Sequence, residues 1–555
     1  MTTTLKLTNT NQLGSFLLSQ KGSWLVAFML ITIFLLNSAF SIVGKSLTYD
    51  EPYHYKYGVN ILDGNSTRFD DSKMPLSAWN ALPAKIASFL PEGTLKINLE
   101  KMVTARLMTT IFSALIALFV FYWSRELYGV IPAYISTGLF VFDPNIIAHS
   151  QLVTTDAYAM GTILLSSFFL WKFSKRLDWL SGLSFSLTLG LAQLAKYTSI
   201  SLYPLFLIVF CVSNGLRLKE EGYFQSKFQF WYKQIFQYLK YFIIVMVTSI
   251  LIINIGFVFN RTFVNIKEYN FRSNLFSSVQ EKVYLPIPVP YPYLEGLDWV
   301  VAKESTDLIF IHIYLLGNTR FGQGFPGYYI IASGLKLPIA TQVILVAAFF
   351  VYLVDKRRRI FFFKNEWFLI VPIAFYVTYF NFFYKSQMGI RYYLVIFPLL
   401  YVFAGVLFIN WRKFLRIQVV ITISLAAFLI GSVLAKYPNY LSYFNEFIKP
   451  QESYKYLADS NLEWGQDTYL LEDYRANNET ALRAPEIPQI IAETKIYYVS
   501  INRLVGVIDG PENYRWLREN FEPVEVIGNS YFVYHITPEE MHHLCSTTSF
   551  CTSNE

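Results

Sequence analysis

Eleven apolar runs of membrane-spanning length divide this chain. They lie near residues 24–43, 107–124, 130–148, 157–173, 178–195, 199–216, 241–259, 327–354, 367–384, 392–409 and 417–435. A helix needs about 20 apolar residues to cross the hydrocarbon. Only helices and closed barrels satisfy their own backbone polar groups there. Composition points the same way: the 555 residues are 54% hydrophobic and 15% charged, against about 25% charged in soluble domains. The 40 Tyr and 50 Phe suit aromatic belts at the two interfaces. The pattern predicts an α-helical polytopic membrane protein. Asp143-Pro144 interrupts the third run, and Lys336 stands before Pro338 in the eighth. The first run is long enough to span, so it reads as a span and not as a cleaved leader.

The basic residues orient the bundle. Arg125, Lys172, Lys175, Arg176, the group from Arg217 to Lys240, the group from Lys356 to Lys364, and Arg412, Lys413 and Arg416 fall in alternate loops, on one side together with Lys6 and Lys21. The short loops of the other side hold only Lys196, Lys385 and Arg391. The positive-inside rule then places the N-terminus in the cytoplasm, and eleven spans place the C-terminus outside, in a plasma (inner) membrane. The net charge of +7 is this topological signal and gives no sign of a nucleic-acid partner.

Three segments face outward on this reading: 44–106, 260–326 and the tail from 436. Residues 1–435 read as the transmembrane domain with its two outer loops. Residues 436–555 read as a small extracytoplasmic α/β domain, since helix-like stretches alternate with strand-like KIYYVSINRLVGV and EPVEVIGNSYFVYHI. Cys545 and Cys551 can close a disulfide loop if the tail meets an oxidising compartment. Cys211, inside an apolar run, reads as a packed small residue.

Ionisable residues from separate stretches gather at one predicted membrane depth. Asp50, Glu51 and His54 open the first outer loop, and Lys73 lies in DDSKMPLS. Arg106 enters the second span, Asp156 lies in AHSQLVTTDAYAMG, Lys196 ends the fifth span and Arg391 begins the tenth. Charges at the rim are affordable where charges at the bilayer centre are not. Cations beside a carboxylate suit a lipid-linked phosphate: the cations offset the phosphate charge, and the carboxylate takes a proton from an attacking hydroxyl. Asp70, Asp71 and His149 read as structural or solvent-facing.

The stretch Asp50-Glu51-x-x-His54, with Gly58 and the Lys73-Met74-Pro75-Leu76 turn, resembles the first outer loop of GT-C glycosyltransferases. The branch is family 39, that of protein O-mannosyltransferases and lipid A aminoarabinose transferases. The Asp156 loop, Lys196-Tyr197-Thr198 and Arg391-Tyr392-Tyr393 fit the same pattern, as do YPNYLSYFNEF and DSNLEWGQD in the tail. The likeness implies a GT-C fold and a polyprenyl-phosphate-linked sugar donor in the bilayer. It leaves the acceptor (protein, lipid or glycan) unnamed. It implies Asp50 as the base, Glu51 and Asp156 as further acids of the site, and Lys73, Arg106, Lys196 and Arg391 as donor-phosphate contacts. His54, Lys336 and Trp464 are candidate substrate contacts. The chain has Lys-Met-Pro-Leu where many relatives have a His-Pro-Pro-Leu turn. No cofactor is implied; a divalent cation on Asp50, Glu51 and Asp156 is the alternative.

Plainer readings stand beside these. Asp50 can cap a helix, Arg106 and Lys196 can snorkel, Arg391 can serve topology or packing, and Glu463, Trp464, Gln466 and Asp467 can form the edge of a folded domain. The competing functions are a transporter or flippase of a lipid-linked or anionic substrate, and a scaffold without turnover. Transporters gather binding groups near mid-membrane in repeated halves, a pattern this chain lacks.

Overall fold

The structure, a computed structural model, describes residues 15–68, 71–220, 228–305 and 311–551. Lys6, Asp70 and Lys227 lie outside the described residues. Among those described, six helices are long and apolar enough to cross a membrane: Gln20–Ser41, Met102–Tyr128, Tyr197–Glu220, Lys233–Gly256, Ile390–Phe408 and Arg416–Leu434. Four shorter apolar helices, Val130–Val141, Trp179–Ala195, Ile339–Val354 and Trp367–Phe382, and the Asp156–Arg176 helix complete the set. Each predicted run thus has its helix, and the chain is a multi-pass membrane protein.

Two runs are shorter than read. The third stops at Val141, and Asp143 turns the chain by accepting from Asn145 and Ile146 N–H (2.7 and 3.0 Å) at the head of the short Pro144–His149 helix. The eighth breaks at Leu337-Pro338 into Tyr328–Lys336 and Ile339–Val354. The ring of Pro338 removes a backbone donor and disfavours helix at the residue before it.

The Asp156–Arg176 and Trp179–Ala195 helices form an antiparallel pair joined by Leu177 in the left-handed region and by Asp178, whose carboxylate caps Ser181 N–H at 2.8 Å. The turn carries Lys175 and Arg176, and Asp156 and Lys196 end the pair about 30 Å away, at a rise of 1.5 Å per residue. That basic end is tied together by Lys364–Glu220 (2.6 Å) and by Arg217 donating to Ser174 O (3.0 Å).

At the other end lie two helical caps and a sheet domain. The Glu51–Leu62 helix packs on Pro75–Ser77 at Gly58, where a Cβ would stand 2.2 Å from Ser77 O. This close approach sets the Lys73-Met74-Pro75 turn against the helix that follows Asp50. A hairpin, β1 (His312–Leu315) and β2 (Asn318–Phe321), bridges to Leu457. The tail sheet runs in the order β3 (Ala481–Arg483), β4 (Lys495–Ser500), β6 (Tyr531–Ile536), β5 (Glu525–Ile527). Its β3–β4 pair is parallel and the others antiparallel. Cys545 and Cys551 are disulfide-bonded. The apolar core is continuous across residue 436, from Phe34 and Trp123 through Tyr401 to Leu457 and Tyr497. Cys211 corrects its prediction: its side chain is exposed on its helix and not packed.

Candidate active site

The antiparallel helix pair explains the first contact of the site. Asp156 begins one helix and Lys196 follows the other, so the two meet at one level, with Lys196 Nζ 2.7 Å from Asp156 Oδ1. Arg391 enters from the start of the Ile390–Phe408 segment. Its Nη1 lies 2.8 Å from Asp50 Oδ2 and 4.0 Å from Asp156 Oδ2. Lys196 Nζ sits 3.8 Å above the Tyr392 ring. These groups line a cavity of about 420 Å³ with His54, Lys73, Trp299, Lys303 and Glu304. Three carboxylates (Asp50, Asp156, Glu304) and four cations (Lys73, Lys196, Lys303, Arg391), brought from five stretches of chain, therefore share one pocket.

Asp50 is more accessible than Asp156, with 31% of its side chain exposed against 2%. It stands at the head of the Glu51–Leu62 helix, yet its carboxylate makes no capping hydrogen bond, so the plain capping reading does not hold. Burial pushes its carboxyl upward, but Arg391, Lys73 and His54 outweigh burial and hold it well below the usual carboxylate range. Lys196 is lowered by burial, against the pull of Asp156. His149, fully enclosed and 6.2 Å from the Trp464 ring, is pushed down by burial to about 3 and stays neutral.

Four predicted site residues, Glu51, Arg106, Lys336 and Trp464, lie outside the cavity lining. Glu51 does not face the cavity. Arg106 grips it through Nε (2.8 Å) and Nη2 (2.6 Å), and Thr48 N–H (2.8 Å) and Val153 N–H (3.1 Å) also donate to it. Arg106 also donates to Lys45 O (3.2 Å) and Ser46 O (2.7 Å). Both are buried, so neither is placed to meet acceptor or phosphate. Lys336 also lies outside the cavity. It donates to Leu441 O (2.8 Å) and Asn461 O.

Asp71 is not a free surface acid: it pairs with Arg272 (3.1 Å) and Arg68 (3.7 Å). Glu51 being committed, the Asp50, Glu51 and Asp156 trio forms no cradle. Among the described residues no group of three His, Cys, Asp or Glu is arranged for a metal ion.

Arg68 escaped the sequence reading. It donates to Lys73 O (3.0 Å) and Tyr197 OH (2.9 Å), joining the Lys73 turn to the residue after Lys196. Its sequence neighbourhood, a polar loop, gave no signal of this. Trp464 stacks on Arg391 from the tail, its ring 4.1 Å from the guanidinium carbon.

Residues 85–225 match the family model described as dolichyl-phosphate-mannose-protein mannosyltransferase. The likeness to that family is over that stretch alone. It includes Arg106, Asp156 and Lys196 of the pattern above, while Asp50 and Arg391 lie outside it. Among solved structures, ArnT from Cupriavidus metallidurans bound to undecaprenyl phosphate is similar at 14% identity and a TM-score of 0.48, covering 75% of this chain. The chain spans 65% of that protein's length. The apo state of ArnT is similar at 13% identity and a TM-score of 0.29, covering 94% of this chain and 99% of the other. No curated protein matches the chain.

Proposed function

We propose that this protein is an integral-membrane glycosyltransferase that moves a sugar from a polyprenyl-phosphate donor to an acceptor hydroxyl on the extracytoplasmic side. The observation that carries this reading is the cavity in which Asp50 and Asp156 meet Lys196 and Arg391, at the end of the bundle opposite the basic loops. The family matched by residues 85–225 is described by a lipid-phosphate sugar donor, which makes a mannosyl donor the first to test.

In this scheme Lys196, Arg391 and Lys73 receive the donor phosphate. Asp50 takes the proton of the acceptor hydroxyl as its oxygen attacks the anomeric carbon. The bond from that carbon to the phosphate oxygen breaks, polyprenyl phosphate leaves, and the configuration inverts. A carboxylate held far below its usual range is a weak base. Donor binding supplies the correction. A phosphate that draws the Arg391 guanidinium removes the strongest charge holding Asp50 down, and burial then raises the Asp50 pKa. The base is thus armed only when the donor is in place. Asp156, paired with Lys196, fixes that lysine at the phosphate and orients sugar or acceptor.

A transporter would bind such a lipid without consuming it. Incubating purified protein with a panel of polyprenyl-phosphate sugars, and following each by mass spectrometry, separates the two. Release of polyprenyl phosphate from one donor supports transfer. Binding with every donor intact supports transport and ends the enzymatic reading.

A further inference from the structure

The tail segment 459–467 (DSNLEWGQD) reaches both halves of the Asp50–Arg391 pair, whose members lie 341 residues apart in sequence. On the Arg391 side, Asn461 Oδ1 accepts the Ile390 N–H at 2.9 Å, and Ser460 Oγ donates to Met388 O at 2.8 Å. Between those two contacts lies Gly389, with φ +79°, where a Cβ would stand 2.3 Å from Ser460 Oγ. Only glycine suits both that backbone and that closeness. On the Asp50 side, Ser46 N–H donates to Gln466 O (3.1 Å) and Tyr49 N–H to Trp464 O (3.2 Å). Lys45 pairs with Asp467 at 3.2 Å.

Between these two sets of anchors the indole of Trp464 lies against the Arg391 guanidinium, 4.1 Å from its central carbon. Trp464, Asn461, Glu463 and Asp467 are all buried, so this segment is a seam and not an outward domain edge. A ring against a guanidinium is attractive and strongest when desolvated. It holds the plane of the cation while the N–H groups donate from its edge, Nε to Met388 O (3.2 Å) and Nη2 to Tyr392 OH (3.4 Å). Here one edge nitrogen serves Asp50 at 2.8 Å and approaches Asp156 at 4.0 Å.

We infer that the 459–467 segment is the positioning element of the site, and that Trp464 sets the plane of Arg391 so that its edge meets the donor phosphate. Trp464 touches neither sugar nor acceptor in this account; it is a positioning residue acting through Arg391. The inference rests on the function proposed above, in that Arg391 receives the phosphate. It makes the tail a working part of the catalytic centre, whatever else the tail does with acceptors.

The test uses full-length protein in lipid nanodiscs, with undecaprenyl phosphate as the binding probe and, separately, the consumed sugar donor. Trp464→Leu keeps an apolar side chain and removes the ring; Trp464→Phe keeps a ring. The expected result is that Trp464→Leu weakens undecaprenyl phosphate binding and raises the donor KM by about tenfold, the size of a desolvated cation–π contact. Its kcat should fall by less than about threefold, the smaller share of such a loss. Trp464→Phe should restore KM to within about threefold of wild type, since a ring face remains.

Equal binding by wild type and a folded Trp464→Leu overturns the inference. So does equal impairment of the Leu and Phe variants with a lowered melting temperature, which would make the ring mere packing. Should Trp464→Leu fail to fold, Asn461→Ala, which frees Ile390 N–H, takes its place: a raised donor KM supports the inference and an unchanged one overturns it. If wild-type protein binds undecaprenyl phosphate and consumes no donor, the proposed enzymatic function falls. The binding ratios of the Trp464 variants still decide the positioning role.

Discussion

Two neighbouring acids, each paired with an arginine, meet opposite fates in this molecule. Glu51 and Arg106 form a bidentate pair with side chains 0% and 3% exposed, and backbone groups take up what the pair leaves over. Asp50 and Arg391 form a single contact, through Oδ2 of Asp50, at the wall of a cavity. The first arrangement ties the first outer loop to the second span and to the Val153 loop. The second sets both charges in the lining of a cavity of about 420 Å³. The same two charges build architecture where the pair is bidentate and buried, and line a cavity where the contact is single.

The two acids should differ most sharply when Asp50 is changed. Asp50→Asn should cost about 10²- to 10⁴-fold in transfer rate, the range of a positioned general base, with melting little changed. Turnover and thermal unfolding measured on the same preparation check both halves. Glu51→Ala should do the reverse. Leaving Arg106 buried and unpaired should cost about 3–5 kcal/mol of stability, read as a loss of folded yield, while the surviving molecules transfer sugar. If Glu51→Ala were stable and inactive, the two acids would have to exchange roles.

Arg391→Leu sharpens the electrostatic side. With Arg391 present, Asp50 stays ionised well below the ordinary carboxylate range, so the acid limb of kcat/KM should lie below it too. Without the guanidinium, burial dominates and the Asp50 pKa rises. The acid limb should therefore move to higher pH, alongside a raised donor KM. An acid limb that stays in place would detach Asp50 from the limb. The smallest effect belongs to Lys336→Met. It removes donors to Leu441 O and Asn461 O, so melting should fall by a few degrees, as about 1 kcal/mol implies, and donor KM should hold.

How much of this was legible beforehand follows from range. Spans are local: about 20 apolar residues declare themselves, and Asp143 and Pro338 mark the breaks. The gathering of Asp50, Lys73, Asp156, Lys196 and Arg391 was legible because topology puts span ends at one depth. Partner choice was not. Glu51 and Asp50 are adjacent, alike in charge and alike in depth, and which one finds Arg106 depends on the 100° turn between helix neighbours and on the Val153 loop, 102 residues away. Trp464 was legible as a candidate contact but not as a stacking partner, since the tail's seat on the bundle comes from long-range hydrogen bonds through Asn461 and Gln466.

The proposed chemistry depends on where the donor phosphate sits. An experimental structure with undecaprenyl phosphate bound should place its phosphate within hydrogen-bonding reach of Lys196 and Arg391, with Asp50 released from the guanidinium. A phosphate seated at the basic end of the bundle, or beside Arg106, would contradict it.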